Sequence, residues 1–152
     1  MDIGQISQLV SAVAFVFSAI VVVVQLRNVR HDRFVQITNG LFQTWQSPDF
    51  MRSQQWVINE MPTSWQELQK QRGTDHGADF LRVTGFYNRI GTLVTLGLVD
   101  GTTILRTIGG TAHEVWRKTE PLLAEARKED AALLRDFERL LPFCEACMKE
   151  MS

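Results

Sequence analysis

Four groups of residues have types and spacings that invite chemistry. Cys144-Glu145-Ala146-Cys147 places two thiols three apart, the geometry of half a zinc site or of a redox pair. A structural zinc needs four ligands, and the three histidines, His31, His76 and His113, have no paired spacing near the cysteines. A redox pair would need a βαβ context, and strand signals are thin, so two small thiols on an apolar helix face read as core. His113-Glu114 opens the zinc-protease pattern, but the second ligand position holds Arg117, which cannot bind zinc.

The other two groups concern anions. Gly109-Gly110-Thr111 before a helix would offer free backbone amides to a phosphate, with Arg106, Arg117 and Lys118 nearby, although the lysine spacing of a phosphate-binding loop is missing. The competing reading is a turn with a capping threonine. Arg82 and Arg89, seven apart, share a helix face, and Arg106 would approach them across a helical hairpin. Solvated charge is the plainer reading of all three. No Ser-His-Asp, paired-carboxylate or Cys-His arrangement follows from the spacing. The expectation is therefore no catalytic residue, no metal and no cofactor.

Stepping from those residues to the elements that must carry them, the first segment dominates. The chain has 152 residues, 45 % hydrophobic and 22 % charged, which suits one domain of ordinary size. Leu9 to Leu26 carries no charge, and its clearly polar members are Ser11, Ser18 and Gln25. At ~1.5 Å per residue this run reaches roughly 27 Å, and Ile6 to Gln8 extend it to the ~30 Å of a hydrocarbon core. A cleaved signal peptide would have a basic leader, whereas the residues before the run carry Asp2 and no Lys or Arg. An uncleaved transmembrane helix over residues 8–26 is expected. Arg27, Arg30 and Arg33 follow it against Asp32, so the side after the span is cytoplasmic and the short N-terminus, residues 1–7, is outside. The expected location is the inner, cytoplasmic membrane, with a single pass.

Within the span, Gly4, Ser7, Ser11, Ala14, Ser18 and Gln25 fall at spacings of 3, 4, 3, 4 and 7 and share one face. Lipid gives apolar helices little reason to associate, so small and polar residues mark the side of close approach. The pattern reads as a left-handed seam, most simply between copies of the chain, and a monomeric anchor with incidental serines is the alternative. Expected partners are thus the bilayer and a second copy or another membrane protein. With 16 basic against 17 acidic residues, the chain has no long-range field to attract nucleic acid.

Beyond the span, Phe34, Ile37, Leu41, Phe42 and Trp45 keep helical spacing, so a juxtamembrane helix over residues 27–47 extends the first, with Asn39-Gly40 as a place to bend. Residues 48–152 read as a cytosolic bundle of about four to six helices in total. Pro48, Pro62, Pro121 and Pro142 are spaced like helix boundaries, and Ser64 with Glu67 has capping-box spacing. Phe80, Val83, Tyr87, Ile90, Val94 and Gly97 form the strongest apolar stripe, widened by Phe86, Leu93 and Leu96. Asp100-Gly101-Thr102 ends that helix. A new one starts near Thr103, and after Pro121 a charged helix turns Leu133, Leu134, Phe137, Leu140 and Leu141 inward, with the two cysteines extending its stripe. The fold class is all-α.

The run Phe86-Tyr87-Asn88-Arg89-Ile90-Gly91-Thr92-Leu93-Val94, then Gly97-Leu98-Val99-Asp100, then Trp116, Pro121, Arg127 and Phe137-Glu138, resembles a bacterial family of small single-span proteins catalogued as domain of unknown function 4760. The likeness covers roughly the last two thirds of the chain. It implies a membrane anchor followed by a helical domain and supplies no catalytic residues. Two functions are consistent with these features. One is a non-enzymatic membrane-anchored scaffold or accessory subunit. The other is an oligomeric membrane effector, of the defence or stress type, whose bundle senses a signal and changes the packing of the spans.

Overall fold

A computed structural model describes residues 3–150. The side chains at 3–7, 9–12, 28, 30 and 31 are outside that description, and with them the seam positions Gly4, Ser7 and Ser11 and the flanking Arg30. Every regular element among the described residues is helical: α1 (Ile3–Trp45), α2 (Pro48–Asn59), α3 (Trp65–Lys70), α4 (Asp75–Thr95), α5 (Gly101–Ala126) and α6 (Arg135–Glu150). The chain divides into two units, 1–37 and 38–152.

The first unit is helical over its described residues, and α1 is long and apolar enough to cross a membrane, with none of its apolar window buried. Val13, Phe15, Val16, Phe17, Ile20, Val22, Val23, Val24 and Leu26 are each 51 to 76 % exposed. Helix α1 does not break at Asn39-Gly40. Glycine costs only about 1 kcal/mol in a helix interior, which the surrounding turns outweigh.

The second unit builds a closed core. Phe50 and Val57 of α2, Val83, Tyr87 and Ile90 of α4, Ile104, Leu105, Ile108 and Val115 of α5, and Phe137 and Leu140 of α6 are all but inaccessible. Aromatic rings link the layers: Phe50 sits 4.6 Å from Phe86, and Phe137 lies between Tyr87, stacked at 5.1 Å, and Trp116, edge-on at 5.2 Å. Local chemistry sets the helix ends. Ser47 accepts the amide of Phe50 at 3.3 Å ahead of Pro48, and the Asp100 carboxylate accepts those of Thr102 and Thr103 at 3.0 and 3.3 Å. After α4, Gly97 takes φ +66, which lets the amides of Leu98 and Gly97 reach the carbonyls of Leu93 and Val94 at 2.9 and 3.0 Å.

Several boundaries differ from the sequence expectation. Helix α5 runs unbroken through both Gly109-Gly110 and Pro121, and α6 contains Pro142, so two of the four prolines lie inside helices. Ser64 precedes α3 but its side chain caps nothing, so the capping box with Glu67 does not form. Because the turn at Gly97 ends α4 at Thr95, the inward stripe stops at Ile90 and Gly91, leaving Leu93 and Val94 half-buried and Leu96 exposed. At the other end, Leu134, Phe137, Leu140, Cys144 and Cys147 are buried as the helical spacing requires, with Leu133 and Leu141 half-buried.

Candidate functional site

Of the seam residues, Ala14, Ser18 and Gln25 are exposed on α1, and so are the flanking Arg27 and Arg33. They share the first unit with the uncovered apolar side chains. This is the one described surface whose composition is at odds with water.

The residues with chemical types are dispersed. Cys144 and Cys147 are unbonded thiols buried in the core, and burial, reinforced by the neighbouring Cys147, pushes the Cys144 thiol up to about 12. A thiol held protonated is a poor nucleophile and a poor metal ligand. Among the described residues no group of three or more His, Cys, Asp or Glu side chains is placed to hold a metal. His113 and Glu114 border an open polar groove with Gly110, Thr111, Arg117 and Met148. Gly109-Gly110-Thr111 lies in the middle of α5, where the helix ladder already uses the backbone amides, so the free-amide cradle is not formed. The arginines go separate ways. Arg82 donates to Ser53 at 2.8 Å and reaches Asp79 at 3.4 Å, Arg106 pairs with Glu150 at 3.6 Å, and Arg89 is exposed.

One polar cluster was not anticipated. Ser53, buried at 1 % exposure on the inner face of α2, shares its hydroxyl proton between Asp79 Oδ1 at 2.6 Å and the Asp49 carbonyl at 2.9 Å while accepting from Arg82. His76 Nδ1 stands 3.8 Å from the other Asp79 oxygen, its ring stacked 4.7 Å from Trp56. The carboxylate lies between the hydroxyl and the imidazole, so the histidine is not placed to take the serine proton. The arrangement satisfies a buried hydroxyl and ties α2 to α4. The only sequence signal was a serine on the otherwise apolar inner face Phe50, Ser53, Trp56, Val57.

The motif that carried the family resemblance has a concrete use. The first residues of α6 follow Leu134, which adopts φ +55, and the cap is supplied by another helix: Asn88 Oδ1 of α4 accepts the Phe137 amide at 3.0 Å. One turn on, Thr92 donates to the Asp136 carboxylate at 2.7 Å. Between them Gly91 leaves no room for a side chain, since a Cβ there would run into the Asp136 carbonyl oxygen. Arg127 completes the seat by pairing with Glu138 at 2.6 Å and donating to the Leu133 carbonyl at 3.2 Å. Asn88, Gly91, Thr92, Arg127, Phe137 and Glu138 thus hold α6 in place, while Gly97 and Asp100 form the α4–α5 turn.

No curated protein and no solved structure matches the chain. A family model described as a domain of unknown function does match, over residues 9–141, reaching back through the apolar segment as well as the bundle. The chain therefore belongs to the DUF4760 family.

Proposed function

We propose that the protein is a non-enzymatic, single-pass membrane protein whose helical domain serves as a scaffold or accessory subunit of a membrane complex. The observation that carries this reading is the stretch of large apolar side chains on α1 between Val13 and Leu26, 51 to 76 % exposed. At about 25 cal/mol per Å² such a surface is costly in water and satisfied in lipid. Arg27, Arg30 and Arg33 favour the cytoplasmic face for the residues after the span, with the N-terminus outside the inner membrane. Support for a non-catalytic role comes from Asn88 and Thr92 of the family motif, which bond within the fold, and from the Cys144 thiol, kept protonated by burial.

A second reading is an oligomeric membrane effector, in which the bundle senses a signal and alters the packing of spans. It rests on the exposure of Ala14, Ser18 and Gln25 along the seam. Mild-detergent purification of the full chain tests both. A different protein recovered in fixed stoichiometry supports the scaffold. Self-association that Ser11→Leu with Ser18→Leu abolishes, insertion being kept, supports the effector. A monodisperse monomer without a partner contradicts both.

A further inference from the structure

The turn between α4 and α5 is made of residues that a turn in water does not call for. Water-facing turns are ordinarily built from Gly, Pro, Asn, Asp and Ser. Here the chain carries no charge from Ile90 to Val99 and sets a leucine on either side of Gly97. Leu96 is 64 % exposed and Leu98 48 %. A glycine turn of this kind commonly folds the residue after it onto the last turn of the helix, which accounts for an apolar residue at 98 and not for one at 96. A single exposed leucine is ordinary, as Leu81 is beside Arg82, whereas two around one glycine in an uncharged run form a small apolar tip.

Basic charge lies behind that tip. Arg89 and Arg106 each stand about 10 Å of helix from the turn. Both are exposed; Arg89 makes no ion pair among the described residues, and Arg106 has a loose one with Glu150 at 3.6 Å. The acid of the turn, Asp100, is occupied within α5, where its carboxylate accepts the amides of Thr102 and Thr103 and the Thr103 hydroxyl. Leucines ahead of arginines by this distance suit the edge of a bilayer, where apolar side chains sink roughly 5–10 Å and arginines meet headgroup phosphates. The chain also keeps the turn within reach of lipid. Helix α2 starts with Phe50 against Phe86 and brings Trp56 to His76, so it begins beside the half of α4 that leads to the turn. The helical residues 27–45, about 28 Å long, tether that start to the apolar run of α1.

We propose that Leu96 and Leu98 dip into the interface of the bilayer that α1 crosses, with Arg89 and Arg106 against its anionic headgroups, a placement that rests on the reading of α1 as a span. The occupant of the tip is a lipid surface, and the second unit lies on the membrane instead of hanging free of it.

The full chain is reconstituted in vesicles of phosphatidylcholine, with and without phosphatidylglycerol. A nitroxide is attached at Leu96→Cys, at Leu81→Cys on the other half of α4, or at Phe17→Cys in α1, and its collisions with lipid-soluble oxygen and with a water-soluble nickel chelate are measured. The parent chain, both of whose cysteines are buried, is the blank. The Phe17 label is expected to meet oxygen and not nickel, and the Leu81 label to meet nickel. The Leu96 label should follow Phe17, with nickel collisions several-fold rarer than at Leu81. Arg89→Gln with Arg106→Gln is expected to lower the immersed population on anionic vesicles on the order of tenfold and to leave neutral vesicles unchanged. Nickel reaching Leu96 as freely as Leu81 while Phe17 is shielded overturns the proposal and leaves the span standing, whereas nickel at Phe17 overturns both. A Leu96 label shielded from oxygen as well as nickel, as contact with a protein would leave it, also overturns the proposal, and indifference to the two arginine substitutions overturns the headgroup contact.

Discussion

Cys144 shows how burial sets the behaviour of a single group. Its thiol has an ordinary value of 9.0 and is pushed to about 12 in the fold, because an apolar surround disfavours the thiolate. The native state therefore holds this proton more tightly than the unfolded chain does. The stabilising contribution is complete below pH 9 and is lost as pH rises toward 12. Tyr87, buried nearby and also raised by desolvation, adds a similar loss only above its ordinary value of 10.0. Thermal melts between pH 9 and 10 should accordingly show a shallower alkaline decline in Cys144→Ala than in the parent, and equal slopes would contradict the assignment. That the two thiols lie in the core followed from their place on the α6 stripe. The bonding of Ser53 did not, because its acceptor Asp79 is 26 residues away and no periodicity links them.

At the scale of elements, hydrophobic spacing identified an all-helical chain and the inward stripes of α4 and α6, since a packed helix must bury a stripe whatever its neighbours are. Breakers were less informative. Pro48 and Pro62 delimit helices, yet Pro121 and Gly109-Gly110 are overridden by the packing of Ile104, Leu105, Ile108 and Val115 on one continuous face. The docking of α6 was invisible in its own sequence, because its cap comes from Asn88 of α4, 49 residues away. Gly91 tests that account. An alanine there must displace the backbone at Asp136, not a flexible side-chain end, so Gly91→Ala should cost about 3 kcal/mol or more and lower the melting temperature by several degrees. A variant as stable as the parent would mean that α6 approaches α4 less closely than described. Chemical denaturation followed by circular dichroism gives the comparison.

For the molecule as a whole, the two units make opposite demands on solvent. Residues 38–152 close their own core and present a mixed polar surface, as a folded domain in water does. The described part of residues 1–37 leaves its apolar side chains uncovered on a helix long and apolar enough to cross a membrane. The apolar segment was legible in the sequence, since a charge-free run of 18 residues needs no partner to be recognised. The sequence conveyed less about function, because Asn88 and Thr92 of the family motif are engaged in seating one helix on another. The central claim is that α1 anchors the intact chain in a membrane. The direct measurement is to wash isolated membranes at alkaline pH, separate pellet from supernatant, and determine the intact mass of the protein. The full-length chain is expected in the pellet, released only by detergent. A chain recovered in the supernatant, or a shorter one lacking the apolar segment, would contradict it.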